Sequence, residues 1–208
     1  MAQQERAVAT RESIIRAGAV VFGRQHFDSV RIVDLLREAG VTQGGFYFHF
    51  TGKKQVAEEL IRRQEHAFVE LRDRLAVRAP DDPVHVILLF MTQAAVLLRD
   101  DHVARAGMRL VLQAAEHFPE VAHMPHPDWI ELVEGVLNAA IGKGTLRPDI
   151  DASTTARALI YLFIGAQVSS YVTDGWQSLP ENIETAVAAV LRNLAPPCKP
   201  RPAVSFSQ

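Results

Sequence analysis

The sequence predicts an all-α protein of about nine helices, with an N-terminal three-helix unit followed by a larger helical body. Two observations support this fold class. Apolar residues recur at the i, i+3/i+4 spacing of amphipathic helices along almost the whole chain. The helical stretches are separated by short segments rich in Gly or Pro, and the sequence lacks the alternating pattern of a β-strand.

Composition narrows the classes of protein that the chain can belong to. Its 208 residues are 48% hydrophobic and 22% charged, as in ordinary globular proteins. The single cysteine, Cys198, excludes an intrachain disulfide and fits a reducing cytoplasm. The first residues are polar and lack the hydrophobic region of a signal peptide. The nearly apolar run 158–172 is too short and too polar to span a bilayer, so we expect no membrane role.

Charge is distributed unevenly along the chain. The net charge of −2 does not by itself suggest a nucleic-acid partner. Residues 1–63, however, contain ten Lys and Arg against seven Asp and Glu, whereas residues 64–208 contain twelve against seventeen. A basic front end on an acidic body is what attraction to phosphate at one end would require.

Three helices are predicted near the N-terminus, over about residues 10–25, 32–39 and 43–49. Thr10 is the expected N-cap of the first helix and Thr42 that of the third. Gly40 ends the second helix, because glycine tolerates the left-handed conformation of a C-cap. A short helix, a glycine turn and a second short helix are typical of a helix-turn-helix, which reads duplex DNA.

The body is predicted to contain six further helices. Two proline-rich stretches, 79–83 and 118–127, interrupt the helical pattern. We expect a helix-turn-helix domain over residues 1–52, a body over 53–195 and a disordered tail over 196–208. The predicted body helices cover about 53–78, 84–99, 103–117, 128–141, 152–173 and 180–194.

The motifs of the front end resemble those of one known family. The first helix carries R-x-x-I-I-x-A-G-x-x-x-F, the second D-L-L-x-x-A-G-V and the third G-x-F-Y-F-H-F-x-x-K-K. Over about residues 10–61 these spacings resemble the tetracycline-repressor (TetR) family of bacterial transcription regulators. The resemblance implies a DNA-binding head on a helical body that binds a ligand and dimerises.

Three motifs in the body are similar to those of γ-butyrolactone receptors, a subgroup of this family. They are G-M-R-L (107–110), the P-H-P-D-W stretch ending at Trp129, and G-T-L-R-P-D-I-D (144–151). The similarity implies a homodimeric repressor of antibiotic or secondary-metabolite genes, released from a near-palindromic operator by a small lactone or furan. A regulator of an efflux or catabolic operon with a different apolar effector is the alternative within the family.

The resemblance places the DNA contacts on and around the third helix. The first residues of such a helix meet base edges, and flanking groups contact phosphates. At least two of Phe46, Phe48 and Phe50 are expected in the core, because only one helix face can meet DNA. The residues expected to contact DNA are Arg31, Thr42, Gln43, Gly44, Gly45, Tyr47, His49 and Lys53.

Two positions depart from the family pattern. Gln43 stands where many butyrolactone receptors carry Lys, and Gln pairs with adenine whereas Lys favours guanine. We therefore expect the operator to differ from the usual operator of the subgroup at the base pair that residue 43 contacts. Val30 and Arg31 replace two customary Thr or Ser residues, so Ser29 or Asp28 is expected to cap the second helix. Arg31 could contact DNA or be a solvated charge.

Two glutamines in apolar helices are candidate effector contacts. Gln64 lies on the apolar stripe of the first body helix, and Gln167 stands alone among apolar neighbours. A buried amide needs hydrogen bonds, which a ligand or an internal partner could supply. The resemblance to the subgroup implies that Trp129 forms a wall of the ligand pocket. Packing in the core is the alternative. The complete set of expected ligand contacts is Gln64, Leu88, Leu110, Trp129, Phe163 and Gln167.

Metal and enzyme chemistry are not expected. His117, His123 and His126 are close in sequence, but their spacing matches no helical metal pair and no thiol or acidic cluster supports them. Motifs for nucleophilic, phosphate-binding or metalloprotease chemistry are absent, so we predict no cofactor. From other classes, an interaction adaptor with a vestigial DNA head or a small all-α enzyme would lack steeply salt-dependent, sequence-specific DNA binding.

The last two helices predict the oligomeric state. One is apolar and the other amphipathic, so a monomer would expose hydrophobic faces. Pairing with a second copy as a four-helix bundle would cover them and present two recognition helices to the operator.

Overall fold

The computed structural model describes residues 2–77, 82–122 and 127–196. Within these ranges the chain forms nine α-helices and no β-strand, so the all-α prediction is confirmed. Two short 3-10 turns cover Phe27–Ser29 and Ala115–His117. The helices are α1 (Ala2–Arg24), α2 (Ile32–Ala39), α3 (Gln43–His49), α4 (Lys53–Val77), α5 (Pro83–Asp100), α6 (His102–Ala114), α7 (Pro127–Gly142), α8 (Ala152–Asp174) and α9 (Leu179–Leu194).

The turn between α2 and α3 has the predicted geometry. Gly40 is left-handed, with φ 65° and ψ 30°, and ends α2. The Thr42 hydroxyl oxygen accepts a hydrogen bond of 3.2 Å from the Gly45 N–H and caps α3. Both features confirm the predicted helix caps. They could be predicted because each depends only on neighbouring residues.

Two of the predicted helix caps are wrong. α1 begins at Ala2, and the Thr10 hydroxyl donates to the Arg6 carbonyl at 2.9 Å inside the helix. The residues before Thr10 are mostly good helix formers, so the helix continues past the hydroxyl. α2 is capped by neither Ser29 nor Asp28, because the Asp34 carboxylate, one turn into the helix, accepts the Arg31 N–H at 3.1 Å.

The body is a layered helical bundle. α4 packs along α6, α5 along α9 and α7 along α8. Large buried side chains such as Met91, Leu98 and Trp176 occupy its centre.

A second hydrophobic core joins the head to the body. It contains Phe22, Leu35 and Phe46 from the head, and it extends to Leu60 on α4 and Leu110 on α6. The first three helices therefore share their core with two body helices. The predicted tail lies outside the described residues from 197 onward.

α5 has the length and apolar composition of a membrane-spanning helix, the one such helix in the described ranges. It packs against α4, α6, α7 and α9. Core helices of globular proteins pass the same test, so α5 is weak evidence for a membrane.

Candidate functional site

α3 divides into a buried and an exposed face. Phe46 and Phe50 are buried, whereas Tyr47 is 46% and Phe48 78% exposed. The prediction that at least two of the three phenylalanines are core is therefore confirmed. At 100° per residue, Phe48 falls about 40° from exposed Gly44, on the same face of the helix.

Phe48 is the candidate DNA contact that the sequence reading missed. Phenylalanine is usually buried, and the sequence predicts only that at least two of Phe46, Phe48 and Phe50 are in the core, without saying which one is exposed. The edge of the Phe48 ring meets the His49 ring, with centroids 4.9 Å apart, and the rest faces solvent. Counting helical positions from buried Phe46 would have found it, because Phe48 lies 200° away around the helix.

The two glycines at the start of α3 differ in their surroundings. Gly44 is exposed, and a Cβ there would have no atom within 4 Å. A Cβ on Gly45 would lie 3.3 Å from the Thr42 hydroxyl oxygen, so Gly45 leaves room for the cap. Open space at Gly44 permits close approach of the helix to another molecule.

The Lys53 ammonium lies inside the head. It donates to the carbonyls of Phe27 at 2.9 Å, Asp28 at 3.1 Å and Val30 at 2.8 Å, and it sits 4.7 Å from the Phe27 ring centroid. An ammonium has three N–H donors, and these three carbonyls engage all of them. The side chain therefore fixes the turn before α2, and the N-terminus of α4 presents its backbone amides.

Arg31 stands at the entrance to α2. Its side chain is 76% exposed, with Nε 3.5 Å from the Asp34 carboxylate. The N–H of Arg31 and its guanidinium hold the pKa of Asp34 below its usual value. Arg37 adds a contact of 3.2 Å to the other carboxylate oxygen, so two cations flank this buried acid.

A small cavity in the body brings together four of the six residues expected to bind an effector. Its volume is about 80 Å³, and it lies between α4, α5, α6, α7 and α8. Gln64 and Gln167 are buried, and the Gln167 Oε1 has no hydrogen-bond partner among the described residues. The other residues that line the cavity include Phe68, Phe90, Met108, Trp129, Ile160 and Phe163.

Trp129 forms one wall of this cavity. Its ring stacks on Phe90, with centroids 5.0 Å apart, and meets Phe68 edge-on at 6.4 Å. The same Phe90 also lines an open groove of about 730 Å³ between α5 and α7. The Phe90–Trp129 pair therefore separates the cavity from the groove.

Leu88 and Leu110 do not line this cavity. Leu88 lies in a groove beside α9, and Leu110 is buried in the core that the head shares with α6. Helical periodicity shows that both side chains face inward, but it does not show which of two cores they enter. The structure therefore does not bring Leu88 and Leu110 together with the other four predicted ligand contacts.

The contact between α4 and α6 depends on Gly107. A Cβ on Gly107 would lie 2.4 Å from the Leu60 carbonyl oxygen and 2.7 Å from the Gln64 Cβ. The backbones therefore meet beside the cavity at a spacing that only glycine permits. The G-M-R-L motif contained this residue, but its partner is some 47 positions away.

Asp28 connects the head to the end of α6. His117 Nε2 lies 3.1 Å from an Asp28 carboxylate oxygen, and Phe118 packs edge-on against Phe27 at 4.9 Å. Within the described residues no group of three potential metal ligands occurs. His123 and His126 lie outside them.

Comparison with known proteins agrees with this geometry. Residues 14–60 match the model of the bacterial regulatory proteins of the tetR family, and residues 86–196 match that of the tetracyclin repressor-like C-terminal domain. The chain belongs to the TetR family. It is accordingly a transcription regulator and not an enzyme.

Three similar proteins show which members of the TetR family this chain resembles. The A-factor receptor protein of Streptomyces griseus is 31% identical over 95% of this chain and 68% of its own. The structure of a γ-butyrolactone receptor, an ArpA-like protein, superposes with a TM-score of 0.68 at 27% identity, over 90% of this chain and 98% of that one. CprB from Streptomyces coelicolor, bound to its operator, gives 0.75 at 25% identity over 92% and 91%.

In this TetR-family chain an apolar face of α8 remains uncovered. Tyr161 is 53%, Val168 44% and Val172 77% exposed. They follow one another at steps of seven and four residues, which places them on one face of the helix. Scattered exposed side chains are ordinary, but a row of large apolar ones indicates an interaction surface.

Proposed function

We propose that the protein is a homodimeric repressor that binds a near-palindromic operator and is released by a small γ-butyrolactone- or furan-like signalling molecule. The genes controlled would be those of antibiotic or secondary-metabolite production. The observation that carries the proposal is buried Gln167, which lines a cavity walled by Trp129 and whose Oε1 has no hydrogen-bond partner in the described part of the chain. A buried amide without a partner costs about 1–3 kcal/mol, and a ligand donor would recover that cost.

The chemistry of the cavity favours a mostly apolar ligand with one or two polar groups. Gln64 and Gln167 offer amides that can donate and accept, while most of the remaining wall is apolar or aromatic. A lactone or furan combines ring oxygens with a hydrocarbon portion. The names of the A-factor receptor and of the γ-butyrolactone receptor structure support this class.

The size of the cavity provides a reason for a conformational response. Its volume of about 80 Å³ is well below the range of roughly 300–1,000 Å³ of ordinary ligand pockets. A signalling molecule would therefore have to displace lining side chains of α4 and α8. A ligand shifts the equilibrium only if it binds the state without DNA more tightly.

The DNA-binding surface of the proposal comprises α3 and the starts of α2 and α4. Gln43, Gly44 and Phe48 would meet base edges, while Arg31 and the amides of α4 would meet phosphates. Tyr47, His49, Thr42 and Gly45 complete the predicted set, with Lys53 acting through its backbone. DNA binding also requires the cytoplasmic location that the sequence predicts.

Dimerisation would use the exposed face of α8. Tyr161, Val168 and Val172 would be covered by the same face of a second copy. A two-fold axis would then present two α3 helices to successive turns of one DNA face.

The experiment begins with selection of operator duplexes from a random pool by the full-length protein. Selected duplexes should bind with an affinity that falls steeply as salt rises. Two series, one of γ-butyrolactones and one of furans, each with alkyl chains of increasing length, are then added. Release by some members, lost in Gln167→Leu but kept in the exposed control Gln93→Leu, supports the proposal. Specific DNA binding that no lactone or furan affects would point to a different effector.

A further inference from the structure

Arg109 on α6 connects the body to the last turn of α1. Its Nη1 donates to the Gly23 carbonyl. Its Nε donates to the Gln113 side-chain oxygen at 3.0 Å, and its guanidinium lies 5.7 Å from the Tyr171 ring centroid. One side chain therefore contacts three helices, α1, α6 and α8.

Gln113 extends this contact toward α8. While its oxygen accepts from Arg109, its Nε2 donates to the Tyr171 hydroxyl at 2.7 Å. Because both ends of the amide are engaged, its orientation is fixed. We call Arg109, Gln113 and Tyr171 the relay.

Tyr171 is joined to the cavity by short contacts. It follows Gln167, which lines the cavity, by one helical turn. The Tyr171 and Trp176 rings have centroids 4.8 Å apart. The buried Trp176 indole donates to the Gln167 carbonyl at 2.8 Å. Trp176 thus contacts both the backbone of Gln167, which lines the cavity, and the ring of Tyr171, which ends the relay.

Trp176 is itself strained. With φ 74° it is the one non-glycine residue with positive φ in the described ranges. Such a conformation in a bulky residue costs of order 1–3 kcal/mol and persists where its surroundings hold it. A small displacement of α8 would change those surroundings.

We propose that the relay transmits occupancy of the cavity to the DNA-binding head. Displacement of Gln167 moves Tyr171, and the two hydrogen bonds of Gln113 carry that movement through Arg109 to the end of α1. The chain then enters the turn whose carbonyls hold Lys53 and whose Asp28 meets His117. The inference rests on the proposed function, and Arg109, Gln113 and Tyr171 act as positioning residues that touch neither DNA nor effector.

Coupling between two sites is reciprocal, so operator binding must also change the surroundings of Trp176. The chain has two tryptophans, Trp129 and Trp176. Incorporation of 5-fluorotryptophan gives one fluorine signal for each, and Trp129→Phe serves to assign them. We expect the Trp176 signal of the full-length protein to shift when a selected operator duplex is added.

The deciding variant is Gln113→Leu, which removes both hydrogen bonds and approximately preserves side-chain size. We expect it to bind operator while the shift of the Trp176 signal is lost. The control Gln93→Leu makes the same change at an exposed position on α5 and should keep the shift. If Gln113→Leu melts below the wild type, Tyr171→Phe, which removes one hydroxyl, replaces it.

The outcomes separate the two proposals. If the wild type selects no specific duplex, the proposed repressor function fails. The relay is overturned if the wild type binds operator without a shift of the Trp176 signal. It is also overturned if Gln113→Leu and Tyr171→Phe show the same shift as the wild type. With a lactone that releases the wild type, operator affinity should fall about 5–150-fold, and the relay variants should bring that factor close to one.

Discussion

The head and the body treat a buried polar side chain in opposite ways. In the head, the buried Asp34 carboxylate accepts the Arg31 N–H and contacts two guanidinium groups, so every contact serves the structure. In the body, buried Gln167 has an oxygen with no partner among the described residues, and it faces a cavity. The first arrangement fixes one conformation, whereas the second leaves a group available.

This difference matches the two roles in the proposed function, which are DNA binding by the head and ligand response by the body. Under the proposed function, a head with Asp34 paired and its aromatic side chains packed would present one fixed surface to DNA. A body with an unsatisfied amide, a small cavity and a strained tryptophan has several contacts that a ligand can improve.

The largest expected effect comes from the helix contact on which the body depends. In Gly107→Ala the new Cβ meets the Leu60 carbonyl of α4, which cannot bend away as a side chain would. We expect a loss of about 1–3 kcal/mol in the free energy of unfolding, typical of overpacking. Thermal and urea melts measure it.

Gly135→Ala is the matched control for this prediction. A Cβ there has no atom within 4 Å, and the residue lies in α7. Removing a glycine from a helix should raise stability by up to about 1 kcal/mol. Equal melting behaviour of the two variants would show that the α4–α6 contact is loose.

A second pair of variants addresses the comparison directly. Gln167→Met replaces the unsatisfied amide with a side chain of similar length and should raise the free energy of unfolding by about 1 kcal/mol. Asp34→Ala should lower the melting temperature, because it removes the acceptor of the Arg31 N–H. A lower melting temperature of Gln167→Met than of the wild type would show that the Gln167 amide stabilises the body, and would contradict the contrast with Asp34.

Gln43→Lys tests the sequence preference of the head. The variant should shift the selected operator from adenine toward guanine at one base pair of each half-site, with about 1–3 kcal/mol of discrimination. Selection from random duplexes with both proteins measures it, and release by an effector should be unchanged. An identical base preference in the two proteins would show that Gln43 does not contact a base edge.

Phe48→Ala should weaken operator binding by about 1 kcal/mol, because the exposed ring can pack on a thymine methyl group. Its ring is 78% exposed, so the melting temperature should not change. Titration of labelled operator gives the affinity. Phe46→Ala, at a buried neighbour, should instead destabilise the head.

Acid should weaken the contact between α1 and α4. Arg63 makes two hydrogen bonds to Glu12, of 2.8 and 2.5 Å, and they hold the pKa of Glu12 below its usual range. A lowered folded pKa stabilises the protein above the unfolded value of about 4.3, and this is lost as pH falls through the folded pKa. The melting temperatures of wild type and Glu12→Gln should converge below about pH 4. A constant difference down to pH 3 would contradict this.

Local sequence rules predicted much of the head and of the helical order. The cap at Thr42 and the stop at Gly40 depend on residues within one turn, and both are confirmed. Periodicity likewise placed Gln64 on a buried face, and the apolar neighbours of Gln167 indicated that it is buried as well.

Features that depend on distant residues could not be predicted in this way. Lys53 meets carbonyls 23 to 26 positions earlier in the chain, and periodicity is silent about such partners. The same holds for Gly107, whose role depends on α4, and for Leu110, which enters the head core. Phe48 is different, since its exposure follows from the helical wheel.

The Lys53 ammonium has a consequence for how the signal is read. By joining the start of α4 to the turn before α2, it fixes the spacing between two helix ends of the proposed DNA-binding surface within one head. Under the proposed function, each head would bind its half-site with this spacing unchanged. In the proposed dimer, an effector would therefore change the distance and the angle between two rigid heads and leave the shape of each head unchanged.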